Sequence, residues 1–174
     1  MMGGRGGTVG RALAAGTVSV RGEESPLKFA SRSQSPQPWR RITTHTIDAS
    51  TEGLAGGEKF GGIEFRMNHD TGVAKVVYIN SAEALKGQGV GNRLYAAAMI
   101  KAKSLGAKEF TSDLRVSKSA YKSWQSLQRK LGSAVQEVAG KRDAGNQYES
   151  DQPIFRVRLS RVSSGRLGRI QRGK

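Results

Sequence analysis

Apolar positions follow a period of two in some stretches and a helical period in others, and the two alternate along the chain. Arg41 to Ile47 alternates and is rich in Thr and Ile, which predicts a first strand. Asp48 to Lys59, with Gly53, Gly56 and Gly57, reads as a loop. Phe60 to Met67 predicts a second strand, and Asn68-His69-Asp70-Thr71-Gly72 a turn closing a hairpin onto Val73 to Ile79. Within that third strand, Val76-Val77-Tyr78-Ile79 has the length and residue types of a buried run. A glycine-rich connection then leads into an apolar-periodic segment, Leu94 to Leu105, which predicts a helix stopped at Gly106. Glu109 to Ser112 reads as a short strand, and a second helix follows from Ser117 to Gly132. Ala134 to Val138 and Pro153 to Leu159 predict a last strand pair around a polar loop, Gly140 to Gln152.

The ends lack such periods. Residues 1–40 are rich in Gly, Ser, Gln, Pro and Arg and predict a flexible basic arm, with Leu27-Lys28-Phe29 as an anchor docking on the domain. No acidic residue precedes Glu23, as in a mitochondrial presequence, but the glycines oppose the amphipathic helix such a leader needs. Residues 160–174 form a basic tail without an acid, open to two readings: a solvated tail or a nucleic-acid contact. The expectation is one domain, 41–159, between two tails.

Charge narrows the company the chain keeps. Its 174 residues carry a formal net charge of +15, which favours polyanions or acidic substrates and says nothing of the fold. Cysteine is absent, so disulfides, thiolate metal sites and cysteine nucleophiles are excluded. His45 and His69 do not form a metal-pair pattern, and no metal is expected. No apolar run approaches a membrane span, and a cytoplasmic setting is expected.

The candidate chemistry lies in Lys86-Gly87-Gln88-Gly89-Val90-Gly91-Asn92, between strand and helix. The first amides of a helix have no internal partner, and the helix dipole adds partial positive charge there. Glycines let an anion come close to that backbone, although a tight strand-to-helix turn explains them as well. Two nucleotide motifs do not fit. The dinucleotide fingerprint would need glycine at Leu94, and the P-loop would need Lys-Ser/Thr at Asn92-Arg93.

The stretch resembles the acetyl-CoA-binding motif of the GNAT acetyltransferase superfamily, whose loop reads Gln/Arg-x-x-Gly-x-Gly/Ala. Element order agrees over roughly residues 60 to 159. The resemblance implies an α/β (α+β) fold with a mixed, mostly antiparallel twisted sheet and helices on both faces. It implies an acyl-CoA-dependent N-acetyltransferase taking acetyl-CoA as cosubstrate and an unidentified amine as acceptor. Cofactor-binding residues would be Tyr78, Ile79, Lys86, Gly87, Gln88, Gly89, Val90, Gly91, Asn92, Ser117 and Trp124, with Glu64 and Tyr121 as catalytic candidates. Arg93 and Lys101 could reach the phosphates or simply form a basic helix face.

Several residues keep two roles open. Ser117 fits a pantetheine contact or a helix N-cap, and Glu64 a base or a solvated charge. Tyr78 and Ile79 could offer main-chain groups or only pack. Trp124 stands where many family members carry the tyrosine that protonates the leaving thiolate, and an indole N–H cannot do that. Tyr121 lies one turn earlier on a similar face. Lys86 replaces the usual Gln or Arg, and the two helices that usually follow the first strand are replaced by a short glycine-rich loop. Ser112-Asp113, the Trp124 to Lys130 segment and Pro26 to Arg32 also resemble GNAT-like modules of bacteriophage internal virion proteins. That resemblance implies a weak or inactive module, in host cytoplasm or virion, partnered by nucleic acid or virion proteins.

Overall fold

A computed structural model describes residues 13–35, 41–51, 59–81, 85, 87–138, 141–142, 147–150 and 152–174. Two strands, β1 (Leu13–Val20) and β2 (Glu23–Gln34), precede the predicted first strand, here β3 (Ile42–Thr51). Then come β4 (Lys59–Asn68), β5 (Val73–Ser81), α1 (Val90–Ser104), β6 (Glu109–Thr111), β7 (Arg115–Ser117) and α2 (Lys118–Leu131). The chain ends with β8 (Val135–Glu137), β9 (Lys141–Arg142), β10 (Gln147–Glu149), β11 (Phe155–Arg158) and α3 (Ser164–Gln171).

Eight strands form one sheet in the order β1-β2-β3-β4-β5-β6-β11-β8, and β7, β10 and β9 form a small second sheet. Among the described residues every pairing is antiparallel except β5 with β6, which α1 connects. A parallel neighbour cannot be reached by a tight turn, so a helix must carry the chain back. The β4–β5 turn closes as predicted. The Asn68 carboxamide oxygen accepts from the Asp70 and Thr71 amides at 2.9 and 3.2 Å, and Gly72 takes a φ of 72°.

Alternation along the strands defines one dry face. His45, Ile47 and Ala49 of β3 are buried in turn with half-exposed Thr44, Thr46 and Asp48. Register sets Phe110 of β6 beside Ala74 of β5 and Val157 of β11, and α2 lays Trp124 on this face. Its indole is fully buried, stacked on Phe155 at 5.3 Å and 4° and packed near Phe110 and Tyr95. Such aromatic pairs add to the stabilisation from buried area.

Three differences from the sequence-based expectation stand out. The expected flexible arm contains β1 and β2, whose Val18, Val20, Leu27 and Phe29 are buried. Their connection, Arg21-Gly22, has φ of 52° and 80°, the positive pair a two-residue hairpin requires. The expected basic tail contains α3, capped by Ser163 and packed on α1 through Leu167 and Ile170. Finally, the helices implied for both faces lie on one: α1 and α2 cover the dry face and α3 packs on α1. The opposite face carries Thr46, Glu64 and Tyr78 in one register row and Thr44, Arg66 and Lys75 in the next. Among the described residues no helix covers these rows, which carry polar groups suited to water.

Candidate functional site

The parallel pair that organises the sheet is short. β5 and β6 pair only at Val73–Lys75 with Glu109–Thr111. Beyond that point the strands part, because Ser112 ties the end of β6 to β11 instead. The Ser112 amide donates to the Phe155 carbonyl at 3.0 Å. Its hydroxyl oxygen accepts from the Ile154 and Phe155 amides, each at 3.0 Å. Ser112 is 1% exposed, so these bonds are shielded from water.

The parting leaves a cavity of about 360 Å³ between Val76–Ile79 on one side and Ser112–Ser117 on the other. Tyr95 of α1 and Ala120 and Trp124 of α2 close it from the dry face. Among the described residues, the edge of β5 that faces β6 has no strand partner past Lys75. A bulge adds to this: Phe65 pairs with Val76 and Glu64 with Tyr78, so Val77 has no opposite residue on β4. Main-chain groups of Val76 to Ile79 therefore border the slot as an open edge on which an extended amide-bearing ligand can pair.

Tyr95, in the slot wall, is little more than one turn into α1, so the start of that helix is separated from the slot by about one turn. Gly89 is the N-cap, in the left-handed region at φ 68°, with no side-chain cap and no acid in the first turn. The Val90, Gly91 and Asn92 amides thus keep the unpaired character of a helix start. A Cβ placed on Gly87 (φ 82°) or Gly89 would meet nothing within 4 Å, which leaves room for an anion. A Cβ on Gly91 would come within 2.9 Å of the Ser123 hydroxyl, so that glycine serves the close approach of α2.

The structure divides the sequence-derived candidates into distinct groups. Tyr78, Ile79, Ser117 and Trp124 line the slot, and Gly87 and Gly89 form the open part of the loop. Ser117 is also the α2 N-cap, its hydroxyl oxygen accepting from the Ala120 amide at 3.2 Å. Gln88 is committed elsewhere: its carboxamide pairs with both main-chain groups of Ser19 on β1, each at 2.7 Å. Asn92 donates to the Ser126 hydroxyl at 2.7 Å, and Val90 is buried in the core. Lys86 lies outside the described residues. Glu64 sits on the open face, in register with Tyr78.

Tyr121 does not line the slot. Its hydroxyl donates to the Glu137 carboxylate and its ring packs on Phe155 at 5.2 Å. Arg93 does not reach the loop's open side, because its guanidinium donates to the Thr17 and Gln171 carbonyls at 2.7 and 3.2 Å. Burial lowers its pKa, with Glu24 acting in the opposite direction. The residue that sequence reasoning passed over is Tyr95. Leu94-Tyr95-Ala96-Ala97-Ala98-Met99 reads as helix core, and only the slot distinguishes the tyrosine within it.

No protein-family model matches the chain, and no curated protein matches it. Solved structures do. An acetyltransferase from Bacillus cereus aligns at TM-score 0.52 and 16% identity, over 72% of this chain and 79% of that one. A chimeric spermidine N-acetyltransferase from Vibrio cholerae gives 0.48 and 15%, over 71% of each chain. An N-acetyltransferase from Thermoplasma acidophilum, in complex with coenzyme A, gives 0.43 and 13%, over 65% of this chain and 59% of that one. Identities this low speak to the fold alone, and the chain shares the mixed α+β fold of the Bacillus cereus acetyltransferase. The resemblance to bacteriophage modules has no counterpart in these three structures.

Proposed function

We propose that the slot binds an acyl-CoA, acetyl-CoA foremost, and that the chain is an acyl-CoA-dependent N-acetyltransferase. The observation carrying this reading is a cavity bordered by an open strand edge, with Tyr95 of its wall little more than one turn into a helix whose start is uncapped and glycine-lined. Gly87, Gly89 and the Val90 to Asn92 amides suit a pyrophosphate. The free edge of Val76 to Ile79 suits the two amides of a pantetheine arm, and the Ser117 hydroxyl can donate to the same arm. Acetyl-CoA supplies an activated thioester carbonyl when bound.

The open face supplies the acceptor's approach. An aminium must lose its proton before its nitrogen attacks, and Glu64 is the carboxylate this reading assigns to that task, directly or through water. Transfer is direct, with the amine attacking the thioester and main-chain groups at the Val77 bulge stabilising the oxyanion. Which amine is accepted lies beyond these residues.

Calorimetry tests the cofactor reading. Wild-type protein should bind acetyl-CoA in the micromolar range. Gly89→Glu should weaken binding at least tenfold, because a carboxylate then occupies the anion's place. Gly106→Glu is the control: it puts the same charge at an equally unfavourable φ, 87°, but at the far end of α1. Equal losses in both variants, or no binding by folded wild type, would contradict the reading.

A further inference from the structure

Trp124 stands where the resemblance implies a proton-donating tyrosine, yet the slot does contain a phenol. Tyr95 enters it from α1, its ring 4.8 Å from Trp124 at 50° and only 2% exposed. The Trp124 indole acts on the Tyr95 phenol as a hydrogen-bonding neighbour that lowers its pKa. An indole nitrogen can only donate, so toward Trp124 the phenol oxygen can only accept and its own proton stays available. Among the described residues no carbonyl or carboxylate takes that proton.

We propose that Tyr95 is the proton donor to the sulfur that leaves the thioester, and that Trp124 is its positioning residue. This rests on the acyl-CoA reading of the slot. The acceptor nitrogen's lone pair forms the C–N bond, and the carbonyl π pair moves to oxygen. That pair returns as the C–S bond breaks and sulfur departs with its electrons. The Tyr95 O–H gives its proton to the sulfur. The proton shed by the acceptor nitrogen passes to solvent, and solvent reprotonates the phenolate. One amine and one thioester become one amide and one thiol.

The surroundings keep the donor loaded. Burial pushes the Tyr95 phenol well above its ordinary range, and the Trp124 hydrogen bond acts in the opposite direction. The charged side chains lining the slot are Asp113, which faces Lys75 at 4.0 Å, and Arg115. Neither contributes to the shift at Tyr95, whose causes are burial and Trp124. A thiolate in the same slot is desolvated too, which brings its proton affinity closer to that of the phenol.

The test needs no acceptor amine. Coenzyme A bound to wild type, Tyr95→Phe and Trp124→Phe is titrated by the ultraviolet absorbance of its thiolate. Acetyl-CoA affinity, measured by calorimetry on each protein, is the internal reference. The Tyr95 O–H stabilises the bound thiolate, so Tyr95→Phe should raise the bound thiol's pKa by about one unit. The ratio of thiolate to acetyl-CoA affinity should fall about tenfold with it. Trp124→Phe keeps an aromatic wall but removes the N–H donor, and should shift the titration partway in the same direction. A purely structural role for Tyr95 would move both affinities together and leave their ratio unchanged, which overturns the proposal. So does a bound thiol that titrates in Tyr95→Phe as in wild type. A folded wild type that binds neither ligand contradicts the acyl-CoA reading itself, and is told apart because the reference arm is then empty.

Discussion

His45 shows how much a single side chain can commit the sheet to one environment. Its ring stacks on Phe65 at 5.2 Å, with the Ser33 hydroxyl 2.7 Å from Nδ1 and the Thr43 hydroxyl 2.7 Å from Nε2. Burial, with the Lys101 and His69 charges behind it, pushes His45 from 6.5 down to about 4. The unfolded chain therefore binds this proton between those values while the folded chain does not. Stability contributed by His45 is full above pH 6.5 and is lost as the pH falls toward 4, by at most on the order of 3 kcal/mol. Urea unfolding at pH 7.5 and 4.5 should show that loss in wild type and a smaller one in His45→Asn, the difference isolating this ring from the carboxylates. Identical pH dependence in the two proteins would contradict it. The residue scale is also where the sequence is least legible. Ser117 is a cap and a slot residue at once, while Gln88 and Asn92 carry the motif's spacing but spend their side chains on Ser19 and Ser126. Partners so distant in sequence leave no local pattern.

At the scale of elements the central part was legible because its periods are long and its turns chemically specific. Strand β5, helix α1 with Gly106 behind it, and helix α2 between Ser117 and Gly132 lie close to their predicted places. The ends were not, for physical reasons. Strand β2 holds a proline and only a brief apolar alternation, and β1 is interrupted by Gly16. Their turn is Arg-Gly, not the Asn-Gly that marks such hairpins from sequence. In α3 the apolar contacts are few, Leu167 and Ile170 among exposed arginines, so charge masks the pattern. What holds both ends is Arg93, which joins β1 to α3 through two carbonyls. Arg93→Met should cost about 2–3 kcal/mol, because both carbonyls lose a charged donor in a buried setting. Hydrogen exchange should quicken in β1 and α3 and stay unchanged in β4. An unaltered pattern would mean that the ends dock by their apolar contacts alone.

For the molecule as a whole, one dry face and one open face determine what the slot can do. The GNAT-like order of elements was visible in the sequence, but the one-sided helix layer was not, since it depends on where α1 and α2 pack. The slot follows from a similar long-range choice: Ser112 bonds to β11, and β5 is left with a free edge. The proposed acceptor side is the uncovered face around Glu64 and Tyr78, the latter 56% exposed. A crystal structure of the protein grown with coenzyme A tests most directly whether this parting of strands is a cofactor site. The pantetheine arm should lie between Val76–Ile79 and Ser112–Ser117, the pyrophosphate on Gly87 and Gly89, and the sulfur beside the Tyr95 hydroxyl. Coenzyme A bound elsewhere on the protein, with the slot filled only by water, would contradict the cofactor reading.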